Sequence, residues 1–353
     1  MAILTPVKQF IHKYLPSFVG WYRYVFNLYM TYWYNLSTIA KQQPLSFAQN
    51  LVTTTRKLSK DRKTILFYPD FPYFKATLYQ ICLFLGYDVT NHPKRRFDAA
   101  IKWKRYATFA PNDSILSNLA AQNSNVVNIN CEDVSKSYID TIFHTVFGYS
   151  ITVDPLTHTG KCVVKSNLNA QHDGKIISCP ISKAEPNVVY QKLVETTVED
   201  GKVLDMRVPI FKDRIPLVYV YLKKNLTAEQ RFHGYTSLIS VQLVEAHDVF
   251  AEEEIHKIIS FCQRIGLDYG ELDVLRDQTD QRIYIVDANN TPTSRLLFEP
   301  LILPPETCIL SPQDRHIAIQ KMAHAFEEKL LSILEEAVPH LPSSFLKSFP
   351  LSE

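Results

Sequence analysis

Residues 270–292 read GELDVLRDQTDQRIYIVDANNTP, two apolar runs joined by a polar turn. Short apolar runs on either side of a polar turn are typical of two paired strands. We therefore predict a β-hairpin with its turn near Thr279. In that register Asp273, Asp287 and Asn289 have the same parity and point to one face of the sheet.

These three side chains predict a metal site. Two carboxylates and an amide oxygen at a strand end suit Mg²⁺, which takes few protein oxygens and completes its shell with phosphate and water. The alternative interpretation is that the three side chains only line the edge of a hairpin. Burying aspartates in apolar strands without a cation costs free energy, and this favours the metal site.

The composition bounds the class of protein. A chain of 353 residues suits two or three domains, and 46% apolar against 21% charged residues supports a sizeable buried core. A net charge of +2 provides no general attraction to nucleic acid, so we expect no such partner. The chain has only nine glycines, and no segment matches the glycine-rich Rossmann turn or the P-loop.

The cysteines predict neither a disulfide framework nor a zinc site. They are scattered, with no CxxC pair and no histidine at zinc spacing; they are Cys82, Cys131, Cys162, Cys179, Cys262 and Cys308. The N-terminus lacks the pattern of a secretory signal peptide. We therefore expect a cytoplasmic protein.

Residues 1–45 are predicted to form a helical arm rich in aromatic residues. Residues 19–35 read VGWYRYVFNLYMTYWYN, which Arg23, Asn27 and Asn35 interrupt too often for a membrane span. Such an arm covers apolar surface of its own fold or of a second copy, which would give a homodimer. Contact with a membrane surface is the less favoured alternative.

Residues 46–125 are predicted to form a small parallel α/β domain. Strands are expected at 64–68, 87–90 and 98–103, with a helix over 76–85 that ends at Gly86. Strand–helix–strand order of this kind is typical of parallel sheets.

The rest of the chain is predicted to be rich in strands. A hairpin of residues 161–165 and 175–179 is followed by strands at 188–194, 205–211 and 217–222. An amphipathic helix is expected over 251–265. A last helix begins after Ser311, a good N-cap followed by Pro312, and continues to about Glu336.

Three cations are placed where they would meet an anion. Lys165 ends an apolar strand, and Lys136 precedes a helical stretch. Arg207 lies between apolar Met206 and Val208, where a guanidinium is expected to meet a carboxylate or phosphate. Taken alone, each lysine also fits a solvated surface position.

In their order these residues resemble the ATP-grasp superfamily, nearest to its RimK-like carboxylate–amine ligase branch. The elements that carry the resemblance are a strand lysine, a Gln-x-Leu-Val hinge, a D-x-R strand, and an aspartate followed by D-x-N-x-x-P. The resemblance implies a mixed α/β (α+β) fold with a pre-ATP-grasp α/β domain before residue 125. It also implies a lid subdomain over 126–200 and a C-terminal subdomain with a terminal helix over 201–353.

By position, the resemblance also implies roles for individual residues. Lys136 and Lys165 would contact the phosphates of ATP, and Arg207 would act with Lys165 on the transferred phosphoryl group. Asp273, Asp287 and Asn289 would hold Mg²⁺. The adenine-binding hinge and a ribose contact would come from a short run after the lid hairpin, namely Gln191, Lys192, Leu193, Val194 and Glu195.

The implied reaction joins a small-molecule or peptide carboxylate to an amine through an acyl phosphate, with release of ADP and phosphate. Three features depart from the family pattern, one of which is Thr293 in place of the glycine that often follows the proline. Asp287 replaces the usual glutamate, and Gly174 is the only glycine in the loop over 167–174. These departures leave two alternatives open: an ATP-dependent phosphotransferase, and a scaffold protein that binds ATP without turnover.

Overall fold

The computed structural model describes residues 63–122, 126–171, 173–224, 238–298 and 309–331. The predicted aromatic arm over 1–45 lies outside this part of the chain, as does the predicted helix beyond residue 331. None of the described helices is long and apolar enough to cross a bilayer.

The first layer is a parallel sheet of four strands. It comprises β1 (Thr64–Pro69), β2 (Asp88–Thr90), β3 (Ala99–Trp103) and β4 (Val126–Val127). The strand order is β2-β1-β3-β4, and all three pairings are parallel. Two helices belong to the same layer, α1 (Thr77–Leu85) and α2 (Ser114–Ala121).

The second sheet has three antiparallel strands in the order β6-β5-β7. Its strands are β5 (Gly160–Ser166), β6 (Lys175–Cys179) and β7 (Val188–Lys192). We call it the lid sheet. It follows helix α3 (Lys136–Phe147) in the chain.

The third sheet has five antiparallel strands in the order β10-β9-β8-β11-β12. Its strands are β8 (Val203–Phe211), β9 (Val218–Lys223), β10 (Leu238–Val244), β11 (Tyr269–Arg276) and β12 (Ile283–Asn289). A single 3₁₀ turn at Glu199–Gly201 precedes β8.

Four helices lie around the five-stranded sheet. They are α4 (Ala246–Val249), α5 (Glu252–Arg264), α6 (Arg295–Phe298) and α7 (Pro312–Phe326), the last continuing as a π-helical turn, Glu327–Leu331. Ser311 caps α7 as predicted, since its side chain accepts a hydrogen bond from Asp314 N.

The five-stranded sheet packs differently on its two faces. Leu272 and Val274 of β11 belong to a core that they share with α3 and α5. Tyr269 of the same strand belongs to a second core, which includes Ile65 and Phe67 of the parallel sheet. Because side chains alternate along a strand, Glu271 and Asp273 share the face of Tyr269.

The predicted mixed α/β class is confirmed, with one parallel and two antiparallel sheets among the described residues. The strand predicted over 188–194 ends earlier, at Lys192. The division at residues 125 and 200 stays a prediction. In the structure β4 pairs with β3 of the parallel sheet.

Candidate functional site

Three neighbouring strands bring the predicted site residues into one row. In the backbone register Asp273 of β11 lies opposite Arg207 of β8 on one side and opposite Asp287 of β12 on the other. Glu271 lies opposite Asn289 one step along the same face. The row forms because both strand pairings are antiparallel and keep residues of like parity on one face.

A β-bulge lies within the row. Asp273 pairs with Asp287 and Val274 pairs with Ile285, so Val286 is the extra residue of β12. The carbonyl oxygen of Val286 accepts a hydrogen bond from Lys165 Nζ at 3.1 Å. The bulge thus connects the lid sheet to the strand that carries Asp287.

The predicted metal ligands lie together by register. Asp287 Oδ1 accepts a hydrogen bond from Ala288 N at 3.1 Å, and Asn289 Oδ1 accepts one from Thr291 N at 3.0 Å. Like charges directly opposite each other across a strand pair are destabilising, so Asp273 and Asp287 suit a bound cation. Burial raises the pKa of Asp273; its ion pair with Arg207 opposes this, and the carboxylates of Asp287 and Glu271 add to it.

Asp273, Asp287 and Asn289 provide fewer ligands than a metal site formed by protein side chains alone. Across the described ranges, no group of three or more His, Cys, Asp or Glu side chains is arranged to hold a metal ion. Two carboxylates and one amide oxygen fit Mg²⁺ only if phosphate oxygens and water complete its six ligands. The donor set therefore suits an ion that arrives with a phosphate.

Gly270 lets the two strands approach where the ligands lie. A Cβ atom at Gly270 would lie 2.7 Å from the carbonyl oxygen of Asn289, which is too close for any side chain. The glycine that begins the motif is therefore required by packing against β12.

Arg207 is the central cation of the row. Its guanidinium donates a hydrogen bond to Asp273 Oδ1 and lies 3.8 Å from Glu271 Oε1. Burial opposes the charge of Arg207, but the carboxylates of Asp273, Glu271 and Asp205 raise its pKa above the ordinary value. Arg207 therefore stays charged beside the carboxylates of Asp273 and Glu271.

Of the two predicted phosphate-binding lysines, Lys165 approaches this row from the lid sheet. Burial lowers the pKa of Lys165 to about 8; Asp287 and Asp273 oppose that shift, and the charge of Lys136 adds to it. Lys136 is buried at the start of α3, and its Nζ donates to the carbonyl of Leu168 at 2.5 Å. The two ammonium groups thus lie close enough to influence each other.

The loop after β5 is held in place by hydrogen bonds. Asn167 accepts hydrogen bonds from Lys136 N at 3.2 Å and from Ser137 N at 2.9 Å, both at the start of α3. Asn169 N donates to Thr108 Oγ1 at 2.8 Å. This part of the predicted phosphate loop is fixed by side chains and backbone groups without glycine.

A cleft of about 180 Å³ lies between the lid sheet and the five-stranded sheet. The lid sheet contributes Val163 and Ile176 to it, and the five-stranded sheet contributes Leu275 and Val286. Ile151, which precedes the lid sheet, also lines it. Lys165 lines it beside the bulge. An apolar cleft with a cation at one end suits a planar ring attached to a charged tail.

The predicted hinge residues line the same cleft, which includes Gln191, Lys192, Leu193 and Val194. Gln191 is buried and pairs with Val163 across β7 and β5. The Glu195 carboxylate accepts a hydrogen bond from Thr197 N at 2.8 Å, and its carbonyl accepts one from Gln278 N at 2.7 Å.

Lys192 has a structural role that its sequence position did not reveal. Its Nζ lies 2.7 Å from Asp277 and 2.9 Å from Asp280, both in the turn between β11 and β12. It also lies 3.2 Å from the hydroxyl of Tyr284. The side chain of Lys192 therefore links the predicted hinge to the turn between β11 and β12 through ion pairs.

Sequence reasoning missed the ion pair of Asp205 with Lys223, both of which line the cleft. Asp205 Oδ1 is buried and has no hydrogen-bond partner among the described residues. One feature of the sequence indicated that Asp205 belongs to the site: it lies two residues before Arg207 on one strand, so both side chains are on the same face.

The loop after β12 joins the site to the first layer. Thr77 N, at the start of α1, donates to the carbonyl of Pro292 at 3.0 Å, and Ala76 bridges Thr293. The segment that follows Asn289 is therefore held against the helix that follows β1.

Comparison with protein-family models found no match, and comparison with curated proteins found none. Among solved structures, the chain is similar to a D-alanine–D-alanine ligase from Bacillus anthracis complexed with ATP. The identity is 12% and the TM-score 0.46, over 79% of this chain and 99% of that one. It is also similar to the macrocyclase MdnC of Microcystis aeruginosa MRC bound with precursor peptide MdnA, at 11% identity and a TM-score of 0.42, over 74% and 98%.

A third similar structure is the ATP-grasp ligase PsnB complexed with minimal precursor, at 14% identity and a TM-score of 0.37. That match covers 51% of this chain and 60% of that chain. All three TM-scores lie below 0.5.

Proposed function

We propose that this chain is an Mg²⁺- and ATP-dependent ligase of the ATP-grasp superfamily, of its RimK-like branch. In this proposal it joins a carboxylate to an amine through an acyl phosphate. The observation that carries the proposal is the row Arg207–Asp273–Asp287, which Lys165 of the lid sheet reaches through the bulge at Val286.

The cleft between the two antiparallel sheets would take ATP. Its apolar side chains suit the adenine ring, and backbone groups of Gln191 to Val194 would supply the hinge contacts. Lys165 and Lys136 would meet the phosphates, where a charged lysine is a common ligand. Glu195 remains the candidate for the ribose contact.

Asp273, Asp287 and Asn289 would hold Mg²⁺, which when bound neutralises part of the phosphate charge. The residues of the chain contribute by positioning the transferred phosphoryl group. Arg207 would donate to the oxygens of the transferred phosphoryl group, and Lys165 would hold the same group from the lid side. Phosphoryl transfer depends mainly on such positioning and charge compensation.

The proposed reaction has two steps. A carboxylate oxygen of the first substrate attacks the γ-phosphorus of ATP, and ADP leaves. The amine of the second substrate then attacks the acyl carbon, and phosphate leaves. We propose small-molecule or peptide carboxylates and amines as substrates, bound where the loop after β12 meets α1.

The test measures ADP and free phosphate when the protein is given ATP, Mg²⁺ and pooled metabolites or peptides. A ligase releases both in equal amounts, and only when substrate is present. Asp287→Ala should abolish the release. Asp314→Asn in the first turn of α7 is the matched control, since it removes a carboxylate outside the row.

The same assay separates the two alternatives. Release of ADP without free phosphate would indicate a phosphotransferase, favoured if Asp287 in place of glutamate alters the metal position. Nucleotide binding without any turnover would indicate a scaffold protein. Failure of the wild-type chain to bind ATP would contradict the whole proposal.

We also propose a homodimer through residues 1–45. Light scattering of the full chain and of a chain lacking residues 1–40 tests this. A smaller mass for the shortened chain, by more than the deleted residues, supports the dimer, and an unchanged assembly state contradicts it.

A further inference from the structure

Two thiols meet on the lid sheet. The Sγ atoms of Cys162 on β5 and Cys179 at the end of β6 are 3.0 Å apart. In the β5–β6 register Cys162 lies opposite Ile177 and Cys179 lies opposite Gly160, so the two cysteines are diagonal neighbours on one face.

That face is the one turned away from the cleft. Val163 and Lys165 have the opposite parity to Cys162 and line the cleft. The cysteine pair is therefore separate from the proposed nucleotide site, although it belongs to the same strand as Lys165.

The geometry suits a covalent bond between the sulfurs. A disulfide has an S–S length of about 2.05 Å, so the two atoms need to approach by about 1 Å. Rotation about the side-chain bonds of Cys179 at the strand end can supply a movement of this size. Cys82, Cys131 and Cys262, by contrast, are buried in the two large cores.

The solvent exposure of the two cysteines determines which sulfur reacts first with an oxidant. Cys179 is partly exposed, whereas Cys162 is completely buried. Burial raises the pKa of Cys162 to about 12, and its contact with Cys179 adds to the shift. Because the thiolate is the nucleophile in disulfide exchange, Cys179 is the thiol that meets an oxidant.

We propose that Cys162 and Cys179 form a reversible disulfide by exchange with a small disulfide such as oxidised glutathione. The Cys179 thiolate attacks one sulfur of oxidised glutathione, forms a mixed disulfide and releases one glutathione thiolate. The Cys162 thiol then gives its proton to solvent, its sulfur attacks Sγ of Cys179, and the second glutathione leaves. Two protein thiols are oxidised, and one oxidised glutathione is reduced to two glutathiones.

The bond would close a ring that contains Lys165 and the loop over 167–174. It would lie at the open end of the β5–β6 hairpin, opposite that loop, and would hold the two strands in register. Backbone amides of residues 160–179 should then exchange their hydrogens more slowly, because local opening of the hairpin is restricted. This inference does not depend on the proposed ligase activity.

The test uses the full chain, incubated with oxidised glutathione and examined by intact mass and by mapping of disulfide-linked peptides. The wild-type chain should lose the mass of two hydrogen atoms, and the linked peptides should contain Cys162 and Cys179. Dithiothreitol should restore the original mass. A bond between other cysteines, or an unchanged mass, would overturn the proposal.

Two variants test the order of events. Cys162→Ala should accumulate the glutathione adduct on Cys179, because the thiol that displaces glutathione is missing. Cys179→Ala should stay unmodified at Cys162, because that thiol is buried. Stable accumulation of the adduct on Cys179 in the wild-type chain would show that Cys162 does not reach it, and would contradict the inference. The wild-type peptide map decides the matter if either variant fails to fold.

Discussion

Replacing Lys192 with methionine should destabilise the chain by about 2 kcal/mol and leave its affinity for ATP within about threefold of wild type. The lysine lines the cleft, but its ammonium group is held by the carboxylates of Asp277 and Asp280. The predicted hinge contacts come from the backbone, which this substitution keeps.

The magnitude follows from burial. Asp277 keeps only 1% of its side chain exposed, whereas Lys192 keeps 30%. Removing one partner of a fully buried ion pair costs about 3–5 kcal/mol, because the remaining charge is left unpaired. Solvent around Lys192 reduces this figure to about 2 kcal/mol.

Lys165→Met is the matched comparison: we expect it to weaken ATP binding and to leave the free energy of unfolding nearly unchanged. Burial lowers the pKa of Lys165 to about 8, so its charge opposes folding, and its loss offsets part of the cost of the substitution. We expect a change in stability within about 1 kcal/mol, because the main loss is one hydrogen bond to the carbonyl of Val286. Loss of a charged phosphate contact should weaken ATP binding by about 10- to 100-fold.

Urea denaturation and calorimetric titration with a non-hydrolysable ATP analogue measure the two quantities for both variants. The reasoning is refuted if Lys192→Met weakens nucleotide binding as much as Lys165→Met does. It is also refuted if Lys192→Met leaves the free energy of unfolding unchanged.

Two further predictions concern pH and backbone geometry. The affinity for the ATP analogue should fall between pH 8 and pH 10 as Lys165, with a pKa of about 8, loses its proton, and Lys165→Arg should flatten this calorimetric profile. Gly266→Ala should cost more than about 2 kcal/mol in urea denaturation, because its φ is +70° and its Cβ would lie 2.4 Å from backbone atoms of Asn130. Gly148→Ala, at φ +82° with open space around it, should cost only about 1 kcal/mol, and equal costs at the two glycines would contradict the steric argument.

Patterns within a single strand were readable from the sequence. The two apolar runs around the polar turn in residues 270–292 predicted the β11–β12 hairpin, and parity placed Asp273, Asp287 and Asn289 on one face. The hairpin of β5 and β6 was equally clear from two apolar runs around a polar loop. In both cases neighbouring residues in the chain carry the whole signal.

Features that depend on long-range pairing were not readable. The bulge at Val286 arises only when β12 pairs with β11, and the partners of Lys192 come from a turn far along the chain. The contact of Cys162 with Cys179 likewise follows from the strand register, although scattered cysteines had suggested no pairing. The spacing of residues in the sequence does not show which distant residues pair.

Several short elements were missed, and for two of them, α2 and β10, local signals existed. Asp113 caps α2 by accepting a hydrogen bond from Leu116 N, which makes it an N-cap of the ordinary kind. β10 has the alternation of Val241, Gln242 and Leu243 within its seven residues. Both elements are short, and periodicity is least reliable over such lengths.

The most direct test of the central claim is a calorimetric titration of the wild-type chain with ATP, with Mg²⁺ present and with Mg²⁺ removed by a chelator. One ATP should bind per chain when Mg²⁺ is present. Binding should be at least about tenfold weaker without the metal, and Asp287→Ala should bind at the metal-free level under both conditions. Absence of ATP binding to the wild-type chain, or binding that Mg²⁺ and Asp287 do not affect, would contradict the account.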